Sequence, residues 1–251
     1  MLLRSHISYN PDLAKKRWVA YFDLLGIKSL FKTKNHLSIF VLLASAIEES
    51  KNQINRVKSI GNVDYVDYVW FSDTFIIYTD DDSKESFQVI DSILRWFIYF
   101  LIIKGDGIPV RGAISCDEFY IDRENNLFFG GALIEAYEYG EAQDWIGFLL
   151  CPSADKRLKD LDVPPVKTFR DYVYTDIPIK KDLSNLNNNL PALIIGRWMK
   201  INNQNPIIEK LSKMKERITD ENIRSKYDRT IEFIKNPQKL TTNKQGESIK
   251  L

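Results

Sequence analysis

The sequence is poor in the residues that build metal centres and disulfide frameworks. Its 251 residues include two cysteines, Cys116 and Cys151, and two histidines, His6 and His36. Both cysteines lie in apolar segments, which favours buried free thiols over a disulfide or a nucleophile. The histidines lack the spacing of metal ligands, so we expect no structural zinc site.

The sequence also lacks an excess of charge and long apolar runs. Its 35 basic and 34 acidic residues leave a formal net charge of +1, which gives no electrostatic case for broad nucleic-acid binding. The most apolar run, Trp96–Ile103, is well short of the roughly 20 residues that span a bilayer. No signal-peptide pattern is seen at the N-terminus. We therefore expect a soluble, cytoplasmic protein that binds neither nucleic acid nor a membrane.

Hydrophobic residues make up 44% of the chain and aromatic residues 12%, enough for a substantial core. The segment Val66–Thr79 is especially rich in aromatic and β-branched residues on either side of Ser72 and Asp73. This pattern predicts a β-hairpin with Asp73 at its tip. A carboxylate on a stiff turn suits a hard divalent cation, which binds oxygen ligands.

One carboxylate does not make a metal site, and Asp23 is the partner that we predict for Asp73. Arg17–Asp23 reads as an apolar strand that ends in this Asp. Gly26 follows three residues later and allows the backbone to turn tightly and approach a ligand. Either Asp alone is more often a solvated turn residue; the pair, each after an apolar strand, predicts a shared cation site.

The remaining pattern predicts alternating strands and helices, with Asn35 capping a helix to about Lys58 and Ser83 or Ser86 capping the next. The other predicted elements are a buried helix to Ile103, strands at Ile108–Ser115 and Glu118–Ile121, a helix from Gly131 to about Gln143, a strand at Trp145–Leu150, a helix at Ala154–Leu161, strands at Tyr172–Asp176 and Pro178–Lys181, and a last strand at Leu193–Trp198. We divide the chain into an arm (1–16), a main domain (17–204), a C-terminal helical extension (205–236) and a polar tail (237–251). The extension either packs on the main domain or forms an antiparallel helical pair.

Four short motifs, taken in order, resemble those of class III nucleotidyl cyclases. They are Phe22–Ile27, Phe71–Asp73, Val110–Ser115 and Phe128–Leu133. The residues of these motifs are most similar to those of the bacterial pyrimidine cyclases of Pycsar antiphage systems. Such enzymes make cyclic UMP or cyclic CMP from UTP or CTP as an infection alarm, and a separate effector senses the product.

The resemblance implies a fold and an assembly. The fold is α/β (α+β), a ferredoxin-like mixed sheet with flanking helices, to which this chain adds its C-terminal helices. The resemblance also implies a homodimer with active sites at the interface, a nucleoside triphosphate substrate, and two divalent cations, Mn²⁺ or Mg²⁺.

Site residues follow from the same motifs. Asp23, Asp73 and the backbone of Leu24 are the implied metal ligands. The backbone of Leu25, Gly26 and Ile27 is implied to cradle the triphosphate.

Three side chains complete the implied site. Arg111, counted with Asp23 and Asp73 as catalytic, would bond the leaving phosphates, although a strand Arg is commonly just salt-bridged. Lys180, favoured over the adjacent Lys181, resembles the position of a phosphate-binding Lys, or else is an ordinary surface lysine. Tyr68, five residues before Asp73, is expected to contact the base, or else is a core or edge aromatic.

The chain departs from the family in the helix after Gly131. Ile134 and Glu138 stand where the family has an Asn and a transition-state Arg. Glu135, Glu138 and Glu141 form an acidic stripe, read as a solvated face or a catalytic part. These departures favour a rival hypothesis, a catalytically degenerate domain that binds a nucleotide or a partner. A weaker rival is another metal-dependent nucleotidyl transferase on a palm-like core.

Overall fold

The computed structural model describes residues 14–27, 31, 35–58, 66–104, 107–180, 185–199 and 205–237. Its strands are β1 Ala14–Leu24, β2 Val66–Phe71, β3 Thr74–Thr79, β4 Val110–Asp122, β5 Leu127–Phe129, β6 Phe148–Leu150, β7 Tyr172–Asp176 and β8 Asn189–Leu193. Its helices are α1 His36–Lys58, α2 Lys84–Tyr99, α3 Gly131–Ala142, α4 Pro152–Asp160, α5 Pro165–Thr168, α6 Pro206–Glu216 and α7 Glu221–Lys235.

The strands form one eight-stranded mixed sheet in the order β2-β3-β1-β4-β6-β8-β7, with β5 paired to β4. Strand β1 is antiparallel to both β3 and β4, whereas β6 runs parallel to β4. The succession β1-α1-β2-β3-α2-β4 in this order is the ferredoxin-like arrangement. The predicted fold class, a mixed sheet with flanking helices, is confirmed.

Strand alternation decides which side chains face which helices. In β1, Trp18, Ala20 and Phe22 are fully buried in the main core, where the Phe22 ring lies 5.1 Å from that of Phe97 in α2. Tyr21, Asp23 and the other odd-numbered residues point to the opposite face. Helix α3 covers that face, since the hydroxyl of Ser115 in β4 donates to the Ala132 carbonyl of α3 at 2.5 Å.

Two helix starts follow the predicted caps. The side chain of Asn35 accepts a hydrogen bond from the Leu37 amide at 2.8 Å, and that of Ser83 accepts one from the Ser86 amide at 3.1 Å. Helix α2 continues as a π-helical turn, Phe100–Lys104. The joined segment Lys84–Lys104 is long and apolar enough to cross a membrane by length and composition, but 61% of it is buried in this fold, as in a core helix.

The strands differ from prediction around β4. The two predicted strands Ile108–Ser115 and Glu118–Ile121 form one continuous strand. Cys116 and Asp117, which separated the two predicted strands, continue the strand. Asp117 and Glu118 lie opposite Arg17 and Lys16 of β1, and opposite charges in such cross-strand pairs support the sheet. Strand β1 begins at Ala14, so residues 14–16 belong to the sheet and not to the predicted arm.

Three later strands also differ from prediction. The last strand is Asn189–Leu193 and not Leu193–Trp198; the chain turns away at Gly196, whose φ is 75°. The predicted strand at Trp145–Leu150 is confined to Phe148–Leu150. The strand expected near Pro178 is reduced to an isolated bridge between Ile179 and Gln143.

The C-terminal helices α6 and α7 pack on each other and on the main domain. On α7, the Thr230 hydroxyl bonds both the amide and the carbonyl of Ile146, at 2.9 and 3.0 Å. The Phe233 ring lies 4.8 Å from that of Trp145. This fixes α7 against the segment that connects α3 to β6. The predicted arm up to residue 13 and the tail from residue 238 lie outside the described residues.

Candidate active site

The β2-β3 turn is fastened to the end of β1. The Leu24 amide donates to the Asp73 carbonyl at 3.0 Å, and the indole of Trp70 donates to the Ser72 carbonyl at 2.7 Å. Ser72 has a φ of 58°, a left-handed conformation that tightens the turn. The predicted hairpin is confirmed, and Asp73 stands at its tip beside the end of β1.

Asp23 lies at the same edge, paired in register with Thr74 on one side and Arg111 on the other. Its carboxylate accepts a hydrogen bond from Nε of Arg111 at 2.8 Å. Burial raises the pKa of Asp23, Arg111 opposes that shift, and the carboxylates of Glu141 and Asp73 add to it. The structure thus brings Asp23, Asp73 and Arg111 together, as predicted.

Arg111 is buried and every nitrogen of its guanidinium is engaged. Besides Asp23, it donates to the carbonyls of Glu141 and Gln143 at 3.1 and 2.7 Å and to the Glu141 carboxylate at 2.8 Å. These bonds tie the start of β4 to the end of α3. The salt-bridged alternative considered for Arg111 therefore describes its present contacts, and its role toward a triphosphate stays a prediction.

Glu141 and Lys180 extend the cluster. The Glu141 carboxylate also accepts from the Tyr21 hydroxyl at 3.1 Å and lies 3.7 Å from Nζ of Lys180. The Lys180 amide donates to the Ala142 carbonyl at 2.9 Å, which holds this lysine beside the end of α3. Lys180 thus lies next to Arg111, where the resemblance implied it.

A second group of charges adjoins the first and was missed by the sequence reasoning. Nζ of Lys226 lies 3.7 Å from the Asp144 carboxylate, and Arg229 bonds the same carboxylate and the Asp144 carbonyl at 2.8 Å. Both cations come from α7, which the sequence placed in a separate extension. Their i, i+3 spacing on one helical face was the only available signal.

The acidic stripe on α3 divides into three environments. Glu135 is half-buried and bonded to Ser153, and burial raises its pKa. Glu138 is exposed, and Glu141 is part of the charge cluster. The solvated-face interpretation therefore holds for Glu138 alone.

The donor set suits a cation that arrives with its substrate. Within the described ranges, no group of three or more His, Cys, Asp or Glu side chains is placed to hold a metal ion. Asp23, Asp73 and the Leu24 carbonyl offer oxygen ligands only, which suits Mg²⁺ or Mn²⁺. Mg²⁺ sites commonly combine one or two carboxylates with substrate phosphates, so the residues fit the implied metal.

The backbone after Leu24 is shaped for close approach. Leu25 donates to the Pro109 carbonyl at 2.8 Å. Gly26 has a φ of 75°, and a Cβ added there would meet nothing within 4 Å. Leu25, Gly26 and Ile27 thus turn at the sheet edge beside Asp23, and their role in binding phosphates stays a prediction.

Tyr68 is not brought to this site. It pairs with Ile77 of β3, which pairs with Ala20 of β1, so all three face the α1 and α2 side of the sheet. There Tyr68 lines a cavity of about 290 Å³ with Phe75. Asp23 points to the opposite face, so the expected contact between Tyr68 and a base at this site loses its geometric support.

Comparisons with solved structures identify the fold. The monomeric guanylyl cyclase domain of the RhoGC fusion protein from the fungus Blastocladiella emersonii is 11% identical, with a TM-score of 0.51 over 72% of this chain and 95% of that chain. The catalytic core of a rhodopsin-guanylyl cyclase with converted specificity, in complex with ATPαS, is 10% identical, with a TM-score of 0.52 over 71% of this chain and 94% of that chain. No protein-family model matches the sequence, and no curated protein matches it significantly. The fold is that of class III cyclase domains, and it places Asp23 and Asp73 at one edge of the sheet.

Proposed function

We propose that the chain is a nucleotide cyclase that converts UTP or CTP to the 3′,5′-cyclic nucleotide and pyrophosphate, as an alarm in antiphage defence. The observation that carries the proposal is the meeting of Asp23 and Asp73 at the end of β1 in a cyclase-type fold. The choice of a pyrimidine substrate rests on the resemblance of the four sequence motifs to those of the Pycsar pyrimidine cyclases. The two similar structures are a guanylyl cyclase domain and the core of a rhodopsin-guanylyl cyclase with converted specificity.

The proposed site residues have separate roles in cyclisation. Asp23, Asp73 and the Leu24 carbonyl would hold the divalent cations, which would neutralise phosphate charge and acidify the attacking hydroxyl. Arg111 and Lys180 lie beside them and place positive charge where pyrophosphate leaves. The backbone of residues 25–27 turns close to the same edge and orients the triphosphate. For Arg111 to serve in this way, it must exchange a contact to Glu141 for one to substrate.

A homodimer completes the proposed enzyme. Large apolar side chains are exposed on α3, with Ile134 46% and Tyr137 53% exposed, and at the hairpin and β5, with Phe71 80% and Phe129 66% exposed. Helix α3 lies between the hairpin end of the sheet and β5, and exposed apolar side chains on all three elements are typical of an interaction site. We propose that it packs on a second copy, so that each active site lies between protomers.

The rival function, a degenerate cyclase-like module that binds nucleotide without turnover, has its own support. Ile134 and Glu138 occupy the positions of the missing Asn and Arg. Arg111 is engaged by Glu141 within its own chain. A module of this kind would bind a nucleoside triphosphate and release it unchanged.

The test incubates the purified protein with each of the four NTPs and Mn²⁺ or Mg²⁺, and identifies products by mass. We expect cyclic UMP or cyclic CMP, and loss of product in Asp23→Ala and Asp73→Ala. Both variants should keep the fold by circular dichroism, and Asp73→Ala should keep its melting temperature. Asp23→Ala should melt at a lower temperature, because it leaves the buried Arg111 without this partner. Asp160→Ala, at the exposed end of α4, is the matched control. Cyclic AMP or cyclic GMP as the main product would refute the pyrimidine assignment, and nucleotide binding without product would support the rival.

The dimer is tested separately. Phe129→Asp places a charge among these apolar side chains, opposite Tyr120 at the end of β4 away from Arg111, and we expect it to yield a monomer by light scattering that has lost activity. A wild-type monomer with full specific activity would contradict the proposed assembly.

A further inference from the structure

Four cations lie around the end of α3, where Glu141 and Asp144 are each shared by an arginine and a lysine, and Arg111 also pairs with Asp23. Arg111 and Lys180 share Glu141, while Arg229 and Lys226 share Asp144. Within each pair the arginine contact is close and the lysine contact is loose, at 3.7 Å for both lysines. Each lysine is therefore the member of its pair that is free to turn toward an incoming anion.

Lys226 belongs to the same electrostatic neighbourhood as the proposed site, although it lies on the C-terminal helix. Its ammonium interacts with the charges of Arg111, Lys180 and Asp23. Burial, with Arg111 and Lys180 nearby, lowers the pKa of Lys226, and Asp144 and Asp23 oppose that shift. An anion bound between these cations would favour the charged form of Lys226.

The backbone position of Lys226 is fixed by the packing of α7 on the main domain. Thr230 lies one turn further along α7. Its hydroxyl accepts a hydrogen bond from the Ile146 amide and donates to the Ile146 carbonyl and to the Lys226 carbonyl at 2.8 Å. Phe233 packs on Trp145 on the same helical face. The helix backbone that carries Lys226 is thus held against the segment that follows Gln143.

We propose that Lys226 is a substrate-binding residue, which adds a positive charge from α7 to the triphosphate site formed by Arg111 and Lys180. The assignment rests on the proposed function for the identity of the substrate, but the anion site itself follows from the cluster of cations. It also supplies charge to a chain whose α3 carries Glu138 where the resemblance led us to expect an Arg. The C-terminal helices are on this view part of the active site.

The test uses inorganic triphosphate with Mg²⁺ as the probe, because its binding requires neither a base nor turnover. Binding to the full chain is measured by calorimetry for wild type, Lys226→Met, Lys226→Arg and the control Lys215→Met. Lys215 is matched to Lys226 in burial, at 26% against 22% side-chain exposure, and also pairs with an Asp. We expect Lys226→Met to bind about tenfold to a hundredfold more weakly, the scale of a lost bond to a charged group. Lys226→Arg and Lys215→Met should retain binding.

Steady-state kinetics with the nucleotide separate this inference from the proposed function. Triphosphate binding that depends on Lys226, in a protein that forms no cyclic nucleotide, would sustain the anion site and defeat the cyclase assignment. Cyclic nucleotide formed by Lys226→Met with the wild-type kcat and KM would overturn the role of Lys226 and leave the cyclase assignment intact. Wild-type protein that does not bind triphosphate, or a Lys215→Met variant weakened as much as Lys226→Met, would also overturn it. A melting curve for each variant distinguishes weaker binding from a lost fold.

Discussion

Replacing Arg111 with Met tests whether this residue holds the site together. Met keeps an apolar stem of similar length but removes the charge that faces Asp23 and Glu141. The side chains of Arg111 and Asp23 are only 5% and 14% exposed, so the change leaves Asp23 as a buried carboxylate without its partner. Removing one member of a buried ion pair costs about 3–5 kcal/mol. The contact to Glu141, whose side chain is 30% exposed, adds little, because exposed pairs contribute roughly 0–1 kcal/mol.

The assay is denaturant unfolding together with a thermal melt. For a chain of 251 residues, a loss of about 3–5 kcal/mol lowers the melting temperature by roughly 6–20 °C. Arg123→Met is the matched control, because Arg123 lies just beyond β4 and pairs with Asp67 at 64% and 40% exposure. That variant should change the unfolding free energy by no more than about 1 kcal/mol.

A second substitution identifies the cause. Asp23→Asn in the Arg111→Met background removes the isolated charge, so the double variant should be more stable than Arg111→Met alone. Unfolding of Arg111→Met within about 1 kcal/mol of wild type would refute the reasoning, because a buried pair cannot be broken so cheaply. Such a result together with lost activity would make Arg111 a substrate ligand and not an anchor.

Three further predictions concern the framework around the site. Gly112→Ala should destabilise the fold by about 1–3 kcal/mol or more in urea unfolding, because a Cβ there would lie 2.0 Å from the Tyr21 carbonyl oxygen; near-wild-type stability would contradict that close approach. Cys116 and Cys151 are buried and burial raises the pKa of both thiols, so a thiol reagent should modify them only in denaturant, and rapid labelling of the native protein would count against their burial. Burial raises the pKa of Glu135 in the folded state, so its ionised form costs folding stability once the pH exceeds the ordinary pKa of a glutamate. Glu135→Gln should therefore raise the melting temperature near about pH 7 but not near about pH 4. An equal effect at both pH values would point to packing instead.

Local signals in the sequence were sufficient for the elements that carry the two aspartates. The aromatic and β-branched runs around Ser72 and Asp73 predicted the hairpin, because both arms bury apolar side chains in the sheet. Asn35 and Ser83 predicted helix starts, because each side chain bonds an amide in the first turn. The motif order then predicted that Asp23 and Asp73 would meet, and they lie at one edge of the sheet.

The errors arise where distant contacts outweigh local signals. The two strands predicted on either side of Cys116 and Asp117 are one strand, because β1 pairs with it throughout and places Arg17 opposite Asp117. The face occupied by Tyr68 depends on the register between strands, which a single sequence does not reveal. A shift of one residue would place the same side chain on the other face.

The cation cluster was the least accessible part of the site. Lys226 lies on a helix whose composition is that of any charged surface helix. The docking of Thr230 on Ile146 and of Arg229 on Asp144 shows that this helix lies beside the segment between α3 and β6. The i, i+3 spacing of Lys226 and Arg229 places them on one helical face but does not show which part of the chain they meet.

The central position of β1 has a consequence for the order in which the protein assembles. Its partner strands are β3 and β4, and Ala14 pairs with Tyr120 far along the chain. The hairpin of β2 and β3 closes through a short turn and can form early, whereas pairings between distant segments form slowly because of their loop-closure entropy. During synthesis β1 emerges first and must remain without its β4 partner until that strand has been made. Helix α7 is made after β4, so Lys226 and Arg229 reach Asp144 only after the strands that carry Asp23 and Asp73 have been synthesised.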